Sequence, residues 1–179
     1  LEGLNLLERE TGVVRRFLNV PGQADSLSSS FVRNLQTDRD GRLWVGTAGG
    51  LNRVISESDD SFTFERVGAE QGLPDAMAYA LEADEYGRQW VSSNSGIYSL
   101  DVRSGEIVQY GLSDGLQDLE FNGGASIRLR DGTLAFGGVR GLNVFNPDRI
   151  QRSAYQPHVQ LTSVLLGREE RRAEALDLS

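Results

Sequence analysis

Apolar residues occur along the chain in short runs of about five to seven, bounded by Gly, Asp or Ser. Runs of this length that are rich in Val, Ile, Phe and Tyr predict β-strands, and pairs such as Asp40-Gly41 predict the tight turns between them. Two successive stretches each predict four strands, at 31–37, 42–47, 51–55 and 62–67, and at 78–83, 88–93, 97–101 and 106–110. No stretch shows the 3.6-residue periodicity of a helical repeat.

The strand pattern repeats. Gly-Leu-Asn occurs at Gly3, Gly50 and Gly141, with a degenerate copy at Gly96, so that the four glycines are 47, 46 and 45 residues apart. Two further series keep the same period, namely the turn glycines Gly41, Gly87 and Gly132 and the leucines Leu27, Leu73 and Leu116. Four strands in about 46 residues is the pattern of a β-propeller blade, so we expect an all-β fold of four-stranded antiparallel blades.

The amino-acid composition limits the kinds of catalytic and binding site that the chain can contain. The chain has 179 residues and a formal charge of −8, no Cys, one His, and 18 basic residues that are all Arg. This excludes disulfides, thiolate nucleophiles, Lys-dependent phosphate loops and multi-histidine metal sites. The acidic balance argues against a nucleic-acid partner. We therefore expect no cofactor, no metal and no nucleic acid, and no apolar run is long enough for a membrane span.

The segment from Asp38 to Arg53 resembles the two-component regulator propeller repeat, which is typified by Asp-x-x-Gly, Leu-Trp-hydrophobic-Gly-Thr and Gly-Leu. The resemblance covers residues 1–150, with departures at Gln89, Ser92 and Ala135. It implies an extracytoplasmic sensor region, periplasmic or extracellular, of a membrane-bound bacterial signalling protein. The output of such proteins is a histidine kinase, a hybrid two-component system or a diguanylate cyclase, located in C-terminal domains beyond this sequence.

The repeats divide the chain into a partial blade at 1–30, blades at 31–76 and 77–121, and a partial blade at 122–150. About three and a half blades do not close a ring, which needs about four to eight. We expect the chain to be the C-terminal part of a longer propeller. The alternative is that two copies of the chain pair as a homodimer to form one ring. Residues 151–179 are interpreted as an exit strand and linker, either the outer strand of the last blade or the start of an immunoglobulin-like three-tyrosine domain.

Three features invite a functional interpretation and have a structural one. Asp38 and Asp40 before Gly41 suggest a calcium loop, but the distal Glu and the other ligands are missing, so a turn role is favoured. Trp44 and Trp90 recur at one blade position, which indicates packing between blades rather than sugar platforms. His158 has no partner at a catalytic spacing.

Ligands of propellers bind at one end of the central channel, where loops meet. The repeats place Arg33 and Tyr79 at equivalent starts of inner strands, Asn122 near the corresponding place in the last copy, and Asn94 and Arg140 on loops between second and third strands. Together they form the candidate site for a polar or anionic ligand, such as an acidic oligosaccharide. The alternative is that they bind only channel waters and stabilise turns.

Three functions remain open from the sequence. The first is a ligand-sensing region whose partners are a small molecule or oligosaccharide, the rest of the propeller and a following signalling domain. The second is a propeller enzyme, a lyase or hydrolase acting on a polar or acidic carbohydrate. The third is an architectural dimerisation module. No catalytic residue is assigned, because the acids fall mostly in turns at the end opposite to the candidate site.

Overall fold

The computed structural model describes residues 2–58, 61–68, 71–73, 77–150, 163–166 and 169–172. Its strands are β1 (Leu4–Leu7), β2 (Val14–Phe17), β3 (Val32–Thr37), β4 (Leu43–Thr47), β5 (Gly50–Ser58), β6 (Ser61–Val67), β7 (Ala80–Ala83), β8 (Arg88–Ser92), β9 (Ile97–Asp101), β10 (Ile107–Tyr110), β11 (Phe121–Arg128), β12 (Leu134–Gly138), β13 (Gly141–Phe145), β14 (Ser163–Leu166) and β15 (Glu169–Arg172). These residues contain no α-helix, only short 3₁₀ turns such as Leu112–Asp114 and Pro147–Arg149.

The strands form antiparallel sheets in chain order, and within each sheet every strand pairs with the next one along the chain. Sheet I contains β1 and β2, sheet II contains β3 to β6, sheet III contains β7 to β10, and sheet IV contains β11 to β13. The fold is therefore all-β, with four-stranded antiparallel blades as the repeats predict. Strands β14 and β15 pair with each other in a separate sheet. Residues 151–162, which include His158, lie outside the described residues.

The first strands of sheets II, III and IV lie side by side. β7 packs against both β3 and β11, and β11 also approaches β3, which is the arrangement of innermost strands around a propeller axis. Direct hydrogen bonds join neighbouring sheets near this axis. The Ala78 N–H donates to the Thr47 carbonyl over 3.1 Å, and the Ser126 hydroxyl donates to the Glu82 carboxylate over 2.7 Å.

Each tryptophan packs from one sheet onto the next, as predicted. Trp44 of sheet II is buried with Leu81 and Val91 of sheet III. Trp90 of sheet III is buried with Phe136 of sheet IV, and its ring centroid lies 5.0 Å from that of Phe145. In sheets II and III, one large ring thus fills the wedge towards the next blade. The burial of both tryptophans excludes a sugar-binding role for either of them.

A buried aspartate orients each tryptophan. The Trp44 indole N–H donates to Asp38 Oδ2 over 2.9 Å, and the Trp90 indole N–H donates to Asp84 Oδ2 over the same distance. The second oxygen of Asp38 accepts two turn amides, including that of Arg42. Asp38 therefore belongs to the turn and the core, which is the structural interpretation rather than the calcium one.

Sheet IV lacks both members of this pair. Counting from the turn glycine, Leu129 stands where Asp38 and Asp84 stand, and Ala135 stands at the position of the tryptophans. The remaining turn acid, Asp131, accepts the Thr133 amide at the surface. An aspartate buried without a donor would be costly, so the loss of the tryptophan and the loss of the aspartate are physically linked.

The glycine of Gly-Leu-Asn is required by the outer strand. Gly96 has φ +109°, and a Cβ there would lie 2.3 Å from the Tyr110 carbonyl oxygen of β10. The same approach occurs at Gly3, 2.4 Å from the Phe17 carbonyl of β2. At Gly141 a Cβ would meet no described atom within 4 Å. The third strand can therefore start so close to the fourth only because the side chain is absent.

The asparagine of Gly-Leu-Asn holds the segment that enters the blade. Asn52 Oδ1 accepts the Ser28 amide over 2.8 Å, and Asn143 Oδ1 accepts the Gln117 amide over 3.0 Å. Ser28 and Gln117 each follow the recurring leucine, Leu27 or Leu116. The two repeat series noted in the sequence are thus in direct contact.

Removal of the Asp84 carboxylate leaves the Trp90 indole and two turn amides without their acceptor. We expect Asp84→Ala to lower the free energy of unfolding by about 3 kcal/mol. The measurement is urea unfolding followed by Trp fluorescence. The control is Asp131→Ala, which removes a surface turn acceptor and should change the unfolding midpoint little. Equal effects of the two substitutions would contradict the role given to Asp84.

The repeat also provides a matched pair of glycines. Gly96→Ala forces the new methyl group against the Tyr110 carbonyl, whereas Gly141→Ala adds only backbone strain. We expect Gly96→Ala to destabilise the chain by at least about 2 kcal/mol more than Gly141→Ala. Thermal unfolding by circular dichroism measures the difference, and a larger loss for Gly141→Ala would show that the outer-strand contact is not the reason for the glycine.

Candidate functional site

The candidate site lies where the three inner strands begin. Arg33, Tyr79 and Gly124 are equivalent, since each lies eight residues before its turn glycine, at 41, 87 and 132. The Arg33 guanidinium carbon lies 5.6 Å from the centroid of the Tyr79 ring, so the predicted pair is in contact. Two residues chosen from different repeats are thus brought together by the packing of sheet II against sheet III.

The guanidinium of Arg33 is flanked by apolar groups rather than acids. Its carbon lies 4.6 Å from the centroid of the Phe31 ring, and Nη2 lies 3.7 Å from Met77 Sδ. Among the described residues Arg33 has no ion-pair partner. The two rings stabilise the cation by cation–π contact, and most N–H donors of this exposed side chain have no acceptor among the described residues.

Sequence reasoning missed Phe31 and Met77. Each lies two residues before a predicted site residue, Phe31 before Arg33 and Met77 before Tyr79. Residues two apart on an extended strand share a face, so this spacing was the available signal. Phe31 is 54% exposed, which is unusual for a phenylalanine at the edge of a packed sheet.

The third wall of the site is backbone. The Gly124 N–H donates to the Tyr79 carbonyl over 2.8 Å, which ties the start of β11 to that of β7. A Cβ on Gly123 would lie 3.7 Å from Arg33 Nη1. Asn122 is exposed and directly precedes these glycines, and its side chain makes no hydrogen bond within the described part.

The two loop residues are placed differently. Asn94 is exposed in the bend between β8 and β9, next to Ser93, whose carbonyl accepts the Phe121 amide over 3.0 Å. Arg140, between β12 and β13, has its amide bound by Gln117 Oε1, and its Nε lies 4.0 Å from an Asp118 oxygen. Both therefore lie at the same end as Arg33 and Tyr79, and neither contacts that pair within the described ranges.

One acid is buried in the inner wall. Glu82 of β7 is 9% exposed and accepts the Ser126 hydroxyl of β11. Desolvation raises the pKa of Glu82, against the opposing effects of the Ser126 hydrogen bond and the Arg128 charge. The turn acids Asp38 and Asp84 lie at the other end of the sheets and are occupied by indole and amide donors. In the described part of the chain no three acidic or histidine side chains are grouped to hold a metal.

The geometry is that of a propeller segment with a cationic, aromatic-lined channel end, and a family match agrees with it. Residues 26–49, which include Trp44 and Asp38, match the family described as "Two component regulator propeller". This likeness covers 24 of the 179 residues, a segment that contains β3 and β4 of sheet II.

The chain has a curated relative with a named activity. It is 28% identical to Histidine kinase P4 of Formosa agariphila, over 80% of this chain and 14% of that protein. The chain thus spans about one seventh of the relative it matches.

Solved structures share the fold. One is the extracellular domain of a putative hybrid two-component system from B. thetaiotaomicron, with a TM-score of 0.67 and 22% identity over 96% of this chain and 26% of that one. Another is PorZ, a surface component of the type-IX secretion system of Porphyromonas gingivalis, with a TM-score of 0.55 and 21% identity over 73% of this chain and 19% of that one. At these identities the likeness concerns the fold alone.

A search of the propeller's described residues for a helix that could cross a membrane finds none.

The raised pKa of Glu82 has a consequence for stability. Because the folded chain holds the proton more tightly than the unfolded chain, stability falls as the pH rises above the ordinary glutamate range towards the raised value. Glu82→Gln, which keeps an acceptor for Ser126, should remove this slope and be the more stable protein at neutral pH. Urea unfolding between pH 4 and 7 measures it, and an unchanged slope in the variant would contradict the assignment to Glu82.

Proposed function

We propose that this region is the ligand-sensing part of an extracytoplasmic propeller in a bacterial signalling protein. The observation that carries the proposal is Arg33, an exposed cation that lies between the rings of Phe31 and Tyr79 and whose donors are mostly unused within the described part of the chain. It lies where inner strands of adjacent blades begin, which is a place where propellers bind ligands. The kinase relative supports a signalling role for the longer protein.

The chemistry of the site favours a polar ligand that carries a negative charge. A guanidinium binds a carboxylate or sulfate through two parallel hydrogen bonds. The aromatic faces beside it suit the C–H face of a sugar ring, and the exposed Asn122 amide offers hydrogen bonds in both directions. An acidic oligosaccharide combines these groups.

The output and the location of the protein follow as parts of the same proposal. A periplasmic or extracellular position is supported by the extracellular domains that share the fold. Between the two candidate outputs, the named relative favours a histidine kinase over a diguanylate cyclase, in another part of the longer protein. An enzyme role for this region is less well supported, since the buried aspartates serve the turns and the tryptophans.

An incomplete ring is supported by the surface of sheet IV. Its outward face exposes Ile127, Leu129, Leu142 and Val144, each more than 40% accessible. Such a face is what a further blade covers. We therefore assign residues 1–150 to part of a larger propeller. The competing explanation is homodimerisation, and the solution mass from light scattering distinguishes the two.

Calorimetry tests the site. With a tetramer of galacturonic acid as the probe, we expect measurable binding that Arg33→Ala weakens at least about tenfold through loss of the charged hydrogen bonds. Tyr79→Ala should weaken binding by a smaller factor, through loss of one ring face. Cellotetraose, a neutral oligosaccharide of the same length, should bind more weakly than the acidic one.

The control is Arg16→Ala, which removes an exposed arginine of β2 in sheet I. Binding that is unaffected by Arg33→Ala, or equally reduced by Arg16→Ala, would show that the acidic probe responds to overall charge and not to this site.

A further inference from the structure

The chain leaves sheet IV through a short segment that folds back on sheet III. After β13 the residues Asn146–Ile150 form a 3₁₀ turn in which the Asn146 side chain accepts the Asp148 amide over 2.9 Å. Pro147 is buried, and Ile150 packs against the cluster that contains Trp90. This exit segment is therefore held against a neighbouring sheet rather than extended into solvent.

Arg88 is the polar contact that holds it. The guanidinium Nη2 donates to the Pro147 carbonyl over 3.0 Å, while Nε donates to Asp84 over 2.6 Å. Its carbon lies 5.3 Å from the centroids of both the Tyr86 and the Trp90 rings. One side chain thus joins the turn of sheet III, its buried tryptophan and the exit segment.

The equivalent residue in sheet II makes no such contact. The Arg42 guanidinium forms ion pairs with Asp38 and Asp40 within its own turn. At the position of Asp40, sheet III has Tyr86, whose phenol lies beside the Asp148 carboxylate. Because Tyr86 stands where sheet II has Asp40, Arg88 has one turn carboxylate fewer to bind than Arg42 has. The end of its guanidinium is therefore available to the exit segment.

Strand β8 connects this contact to the candidate site. Arg88 begins the strand, and Ser92 ends it, where its carbonyl accepts the Tyr79 amide over 2.8 Å. The two ends are about 13 Å apart at the rise of an extended strand. β8 pairs along its whole length with β9 and from Gln89 to Ser92 with β7, so its two ends belong to one continuous hydrogen-bonded sheet.

We propose that Arg88 is a positioning residue that transmits changes at the Tyr79 end of sheet III to the exit segment. The importance of this link for signalling rests on the proposed function, but the link itself concerns two ends of one strand. We therefore expect the structural order of the backbone at residues 146–150 to depend on Arg88. Through Arg88, it should also depend on the environment of Tyr79.

Hydrogen exchange of the 148–149 amides, without ligand, tests the anchor. We expect Arg88→Ala to accelerate exchange about tenfold, the effect of losing one hydrogen bond from a charged donor. Arg88→Lys, which keeps a charge beside Asp84 but cannot also reach Pro147, should accelerate it with sheet III intact. Arg42→Lys is the matched control and should leave the exit segment unchanged. Equal effects of Arg88→Lys and Arg42→Lys, or none, would overturn the anchor.

A double-mutant cycle tests transmission. Tyr79→Ala should change exchange at 148–149 at least about threefold when Arg88 is present and have no effect in the Arg88→Lys background. Equal effects in both backgrounds, or no effect in either, would overturn the link. Because no ligand is used, these results do not depend on whether the acidic probe binds.

Discussion

Sheets II and III depend on the same buried contact, the hydrogen bond from a tryptophan indole to an aspartate that also accepts the amides of its turn. The ring fills the wedge between blades, and the carboxylate both orients the ring and fixes the turn. Neither residue is favourable alone, since an unpaired buried carboxylate or indole N–H is costly. Sheet IV, with Leu129 and Ala135 in their place, shows the two being lost together.

A second contact links distant parts of the repeat in the same way. Asn52 and Asn143 each accept an amide from the segment entering their blade. In the middle repeat the residue after Leu73 is Pro74, which has no amide hydrogen, and the asparagine position is Tyr98. Tyr98 is instead buried in the core. Departures that look like drift in one motif are therefore matched by a change in its partner.

Strand positions and the period could be predicted because each blade repeats the same local signals, and β9 lies where the pattern placed it. The pair of Arg33 and Tyr79 could be predicted because equivalent positions of adjacent blades converge. The contributions of Phe31 and Met77 could not, since they depend on how two sheet ends meet. Asn94 and Arg140 lie at the predicted end, but loop side chains follow local partners such as Gln117, which periodicity does not reveal.

The position shared by Arg33, Tyr79 and Gly124 separates framework from specialisation. A structural role common to all blades would favour similar residues there, as it does for the turn glycines. Instead the position carries a cation, a ring and a residue without a side chain. The neighbouring Gly123 lies beside the guanidinium, where a Cβ would be 3.7 Å from Nη1, and a Cβ on Gly124 would meet no described atom within 4 Å. A ring on one side and a glycine on the other, around a cation without an ion-pair partner in the described ranges, is an asymmetry that the packing of identical blades does not require.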